Sequence, residues 1–161
     1  VDYLIIPKVS SERRSYIPIA FIEANTIVTD LVFIVANTTL YHFGILTSQM
    51  HMAWMRVVAG RLKSDYRYSK DVVYNNFPFP KATPAQQEAI AQKAKTVLEV
   101  RAKYPDSSLA DLYDPLTMPK ELVKAHKALD TAVDRLYRSS PAFKDDAERV
   151  SYLFQIYKEI T

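Results

Sequence analysis

The stretch Asn75-Asn76-Phe77-Pro78-Phe79-Pro80-Lys81-Ala82-Thr83-Pro84-Ala85-Gln86 divides the chain. A residue before a proline is pushed toward extended backbone, so residues 75–80 close whatever precedes them as an extended segment. Helix chemistry follows at once. Thr83 is a capping hydroxyl, Pro84 suits the first helical position, and Gln86 stands where a capping box requires it. The pattern therefore predicts an α+β chain. Residues 1–80 combine short strands with a buried helix, and residues 81–161 form a small C-terminal helical bundle.

Outward toward the C-terminus, the capped helix is expected to run to about Lys103 and to stop at Tyr104-Pro105, with Ile90, Val97 and Leu98 as its apolar stripe. A helical turn is expected at Leu109–Tyr113. Thr117 is expected to cap a helix reaching about Arg138, with Leu122, Leu129, Val133 and Leu136 inward and Pro141 ending it. The last helix, about Asp145–Glu159, carries Val150, Leu153, Phe154 and Tyr157 on one face. Toward the N-terminus, residues 3–6 and 16–22 read as strands around the polar turn Ser10–Ser15. Leu31–Val35 reads as a buried strand and Val72–Tyr74 as a short one. Between them Leu40–Val58 predicts one well-buried helix, with Met50, Trp54 and Val57 on one face and Gly60 as its stop. Its Met and Trp stripe is read as core packing and not as a cofactor box.

Composition narrows the function classes. At 161 residues, 48% hydrophobic and 12% aromatic, the chain is core-forming and not disordered. Two glycines, Gly44 and Gly60, exclude a glycine-rich phosphate loop in this sequence. The absence of cysteine excludes disulfides, thiolate metal sites and a cysteine nucleophile, and is compatible with the cytoplasm. The longest apolar run, Leu31–Ala36, is too short to span a bilayer, so no membrane partner is expected. A start at Val1, without Met or a leader pattern, suggests a piece of something larger. The histidines His42, His51 and His126 are scattered and read as packed or partly exposed. Asp130 and Asp134, one turn apart, read as a solvated face beside Lys127 and Arg138 and not as a cation chelate. No catalytic constellation emerges.

The net charge of +3 is unevenly spread. Residues 56–70 hold Arg56, Arg61, Lys63, Arg67 and Lys70 against Asp65 alone, the footprint expected of a phosphate-binding surface. In Gly60–Lys70, basic, hydroxyl and aromatic residues alternate without apolar periodicity. Arg61, Arg67 and Lys70 suit phosphates, and Ser64, Ser69 and the tyrosines suit neutral backbone contacts. Lys63 and Asp65 are two apart, so in an extended loop they point the same way. A lysine donates to guanine O6 and N7 and an aspartate accepts from cytosine N4, so the pair suits one G·C base pair. A surface ion pair between them is the alternative.

Several motifs in order carry a family resemblance. They are Ile6-Pro7-Lys8-Val9-Ser10-Ser11-Glu12-Arg13-Arg14, Gly44 to Met55, Gly60 to Lys70, Tyr74 to Pro80, Leu112 to Pro119, and Ala128 to Tyr137. Together they resemble the target-recognition region and C-terminal helical domain of MmeI-type enzymes, which are large single-chain DNA adenine methyltransferases, many fused to an endonuclease. The resemblance implies double-stranded DNA as partner, with an upstream methyltransferase domain on the same polypeptide. It also implies S-adenosylmethionine in the full-length parent, with no cofactor in this chain. The family's Asn-Pro-Pro-Tyr motif is absent here, so no catalytic residue is expected. It further implies that Lys63 and Asp65 face bases, with Arg61, Arg67, Tyr68, Lys70, Arg13 and Arg14 on the DNA backbone. The competing reading is a helical protein-interaction module docking a methyltransferase or specificity subunit, since the capped helix after a Phe-Pro segment is similar to those subunits as well.

Overall fold

Period-two alternation sets the first strand. In Tyr3–Pro7 (β1), Leu4 and Ile6 are fully buried, while Tyr3, Ile5 and Pro7 are half-buried on the opposite face. A second, two-residue strand, Val9–Ser10 (β2), follows directly. The structure is a computed structural model that describes residues 3–23 and 31–160. β1 lies at the centre of an antiparallel sheet, flanked by Ala20–Ile22 (β3) and Val32–Val35 (β4). β2 joins a second antiparallel sheet with Gly60–Leu62 (β5) and Asp65–Arg67 (β6), in the order β2-β6-β5. Lys8 links the sheets through its backbone. Its N–H donates to the Leu31 carbonyl at 2.9 Å, and its own carbonyl accepts from the Tyr68 N–H at 2.7 Å.

Only the end of the predicted 16–22 strand pairs. Pro18 has no N–H to offer a ladder, and Tyr16, Ile17 and Ile19 are buried instead as an irregular strap. Its carbonyls are held by side chains: Thr47 Oγ1 donates to Ile17 at 3.1 Å, and Arg101 donates to Ile19 at 2.8 Å. The single helix predicted over 40–58 is two helices, Leu40–Leu46 (α1) and Gln49–Val58 (α2). The break lies at two hydroxyl residues. Ser48 Oγ donates back to the Ile45 carbonyl at 2.6 Å and accepts the His51 N–H as the cap of α2. Gly60 opens β5 and does not stop the helix, which ends on extended Ala59. Val57, expected inward, is 57% exposed. Val72–Tyr74, expected as a strand, belongs to a π-helical turn over Lys70–Tyr74. Ser69 caps that turn, and Trp54 Nε1 donates to the Val73 carbonyl at 3.0 Å.

The helical half follows its sequence closely. Pro84–Ala102 (α3) begins with the full Thr83/Gln86 capping box. Leu109–Leu112 (α4), Lys120–Tyr137 (α5) and Asp146–Ile160 (α6) complete it. Thr117 is not the cap of α5: its hydroxyl donates to the Asp111 carbonyl, and the helix starts after Pro119 without a side-chain cap. The hydrophobic core is continuous across Pro80. Gly44 lets α1 lie close against α3 and α5, since a Cβ there would stand 2.9 Å from Ile90 Cγ2 and 3.4 Å from Leu129 Cδ1. Trp54 on α2 packs on Phe154 of α6 with ring centroids 5.1 Å apart, and the Tyr137 hydroxyl donates to the Pro78 carbonyl at 2.7 Å. Among the described residues no helix is long and apolar enough to cross a membrane.

Candidate nucleic-acid interface

The basic stretch folds as a hairpin, not as the extended loop expected from its sequence. Leu62 pairs with Asp65, which leaves Lys63 and Ser64 as a two-residue turn. Lys63 takes φ 58°, a left-handed conformation usually given to glycine at the first turn position. Lys63 is exposed at the tip and Asp65 is half-buried at the start of β6. Among the described residues they form no ion pair with each other.

Strand register sorts the candidate residues by face. Arg61 and Ser10 both stand opposite Tyr66, so these three share one face, and Tyr66 and Ser10 are buried. The Arg61 guanidinium lies 4.2 Å over the Tyr66 ring and donates to Glu12 at 2.9 Å and to the Ser64 carbonyl at 2.5 Å. It closes the turn from behind. Asp65 and Arg67 occupy the other face, where Arg67 is exposed opposite Val9 and Gly60. Tyr68, expected on the DNA backbone, is instead 2% exposed; its hydroxyl is 2.7 Å from His51 Nε2 and its ring stacks on Phe33. Burial in that packing removes it from any outer surface. Arg13 is exposed and paired with Asp114 at 3.5 Å. Arg14 is half-buried, with Nη1 3.4 Å from Ser10 Oγ, and Lys70 is exposed at the start of the π-turn. Lys63, Arg67, Lys70 and Arg14 therefore have no carboxylate partner among the described residues, while Arg61 and Arg13 have one.

Buried polar groups mount this surface on the helices. His51 is fully buried, and burial pushes its imidazole down to about 3, so it is neutral at physiological pH. His126 is likewise pushed down to about 3 by burial, aided by Arg101, and lies 2.7 Å from the Tyr113 hydroxyl. Asp130, read from sequence as part of a solvated face, is 5% exposed. It accepts the Tyr16 hydroxyl at 2.6 Å and the Gln49 N–H at 2.9 Å, tying α5 to the strap and to the start of α2. Burial raises its carboxyl to about 6 against the pull of those two hydrogen bonds. Asp134 accepts two hydrogen bonds from Arg149, at 3.1 and 2.8 Å. Helical spacing alone gave no sign that tyrosine and arginine partners would arrive from other elements. Lys8, which sequence reasoning passed over, stands exposed beside Arg67, where β2 meets β6.

The MmeI target recognition domain matches residues 1–81 and the MmeI C-terminal domain matches residues 82–161. DNA methyltransferase A of Bacillus subtilis (strain 168) is 42% identical over 158 residues, 98% of this chain and 18% of that protein. A solved structure of the Type IIL restriction-modification enzyme MmeI in complex with DNA is similar at 44% identity with a TM-score of 0.94, covering 99% of this chain and 21% of that one. The chain thus spans about a fifth of the length of these relatives.

Proposed function

This chain belongs to the MmeI family, and we propose that it is the DNA sequence-recognition module of a larger DNA adenine-N6 methyltransferase. The observation that carries the proposal is the outer face of the β5–β6 hairpin. There Asp65 and Arg67 share one strand face next to the exposed turn residue Lys63, none with an internal ion-pair partner among the described residues, on a scaffold resembling a protein solved with DNA. Lys63 and Asp65 read a G·C pair in the major groove, and Arg67, Lys70 and Arg14 hold phosphates. Arg61, on the opposite strand face, is paired with Glu12, and Arg13 is paired with Asp114.

The methyl donor, S-adenosylmethionine, is held outside this chain. Gly44 is enclosed by Ile90, Ala94 and Leu129, and Gly60 opens a strand, so neither offers a phosphate- or nucleoside-binding turn. The upstream methyltransferase domain of the same polypeptide supplies that site and the chemistry. The packing of α3, α5 and α6 on the chain's own α1 and α2 uses the helical faces that a separate subunit would need, which favours DNA reading over subunit docking. The test is a Lys63→Glu, Asp65→Arg exchange in the full-length polypeptide. The preferred base pair should change while nonspecific affinity stays nearly constant, and an unchanged preference would remove the base-reading role.

A further inference from the structure

Lys8, Arg14 and Arg67 line one groove of about 650 Å³ where the two sheets meet. The other described lining residues are apolar and include Ile5, Pro7 and Val32, on the outer face of the β1 sheet. Among the described residues no acidic side chain lines it and none of the three cations has a carboxylate partner. We infer that this groove seats the sugar-phosphate backbone of the DNA strand flanking the bases read at the hairpin tip, with Lys8 as a phosphate contact alongside Arg14 and Arg67. The apolar floor takes deoxyribose. This inference rests on the DNA-reading proposal above and extends its surface to a second element.

Continuity with the hairpin selects this occupant over an acidic protein segment. Arg67 belongs to both surfaces: it lines the groove and lies on the same strand face as Asp65. Two residues of strand separate them, about 7 Å along β6, so a backbone passing Asp65 runs on to Arg67 without leaving the face. Lys8 is held in place by its backbone, which bonds Leu31 on one side and Tyr68 on the other. Its exposed side chain is therefore displayed from a fixed point at the groove's edge.

Phosphate seating is independent of sequence, so the test needs no knowledge of the recognition site. Binding of the full-length polypeptide to a short mixed-sequence duplex is measured across a salt series for the wild type, Lys8→Ala and Lys8→Glu. Loss of one phosphate contact should flatten the slope of log affinity against log salt by about 0.9. Lys8→Glu should weaken binding further, and preference among sequences should not change for either variant. Unaltered slopes in both variants, with thermal unfolding like the wild type, overturn the groove assignment. So does a loss confined to one sequence, which would make Lys8 a base reader. So does loss of cohesion with the rest of the polypeptide while DNA binding is intact, which would make the groove a protein-docking face. The Lys63/Asp65 exchange is scored by sequence preference, so failure of that reading stays distinguishable from failure of this one.

Discussion

In a Lys63→Gly variant the hairpin should become more stable and less selective at once. Lys63 holds φ 58° in a two-residue turn, a conformation that costs an L-residue about 1–2 kcal/mol. Glycine removes that cost but returns about 0.5–1 kcal/mol through its greater freedom in the unfolded chain. The Lys63 side chain is exposed and has no ion pair or hydrogen bond to lose among the described residues. The net expectation is a gain of about 0.5–1 kcal/mol, or a rise in Tm of about 1–4 °C for a chain of this length. Thermal unfolding followed by circular dichroism measures the first effect. Anisotropy with duplexes differing at a single G·C pair measures the second, where discrimination should fall by the roughly 1–3 kcal/mol that a good base contact supplies. A lower Tm would refute the claim that the turn is strained. A higher Tm with unchanged discrimination would show that the strain is retained for something other than base reading.

Gly44→Ala should destabilise the helical contact, because overpacking costs about 1–3 kcal/mol and alanine's helix preference returns only about 1. The new methyl meets Ile90 Cγ2 at 2.9 Å and Ala94 Cβ at 3.3 Å, both in the core; chemical denaturation measures the loss. Tyr68→Phe should lower stability by about 1–2 kcal/mol, since the buried His51 ring would lose its hydrogen-bond partner among the described residues, and should leave DNA affinity unchanged in a binding assay below the melting range. Stability should rise with pH from about 4 to 6.5. His51 and His126, whose folded values near 3 lie below the ordinary 6.5, lose stabilisation as pH falls through that interval. Asp130 opposes them: its folded value of about 6 lies above 3.8, so its contribution is lost as pH rises through 6. Asp130→Asn keeps an acceptor for the Gln49 N–H and should steepen the rise by up to about 1.4 kcal/mol per pH unit, read from unfolding midpoints across that range.

Legibility followed the range of the interactions that decide each element. The helices after Pro80 were readable because their signals are local: the Thr83-Pro84-Ala85-Gln86 cap and a one-sided apolar stripe need no distant partner. The hairpin was not. Its basic, polar composition gives no period, and the burial of Tyr66 and Tyr68 depends on Ser10 and His51 arriving from elsewhere in the chain. The break at Thr47-Ser48 was hidden by the surrounding apolar density, and the π-turn at Lys70–Tyr74 by two β-branched valines. Lys63 and Asp65 were picked out by their chemistry. That Arg61 lies on the face opposite to Asp65 required the register, and that Tyr68 is buried required the packing around His51.

That register gives the hairpin a division of labour between its faces. The inner face is fixed from several directions. Tyr66 is buried with Arg61 across its ring, Arg61 is pinned to Glu12, and Tyr68 is bonded to His51, whose ring meets Phe77 edge-on at 4.4 Å. His51 belongs to α2, the start of α2 is held by Asp130 of α5, and Asp130 also holds Tyr16 of the strap. A chain of buried contacts therefore runs from the C-terminal helices to the back of the hairpin. The outer face carries groups without an ion-pair partner among the described residues, and side chains anchored through a rigid backbone lose little freedom on meeting a ligand. Substitutions on the inner face should consequently alter stability first and recognition only through it, whereas exchanges of Asp65 or Arg67, or of Lys63 for another L-residue, should alter recognition in a fold that melts as before.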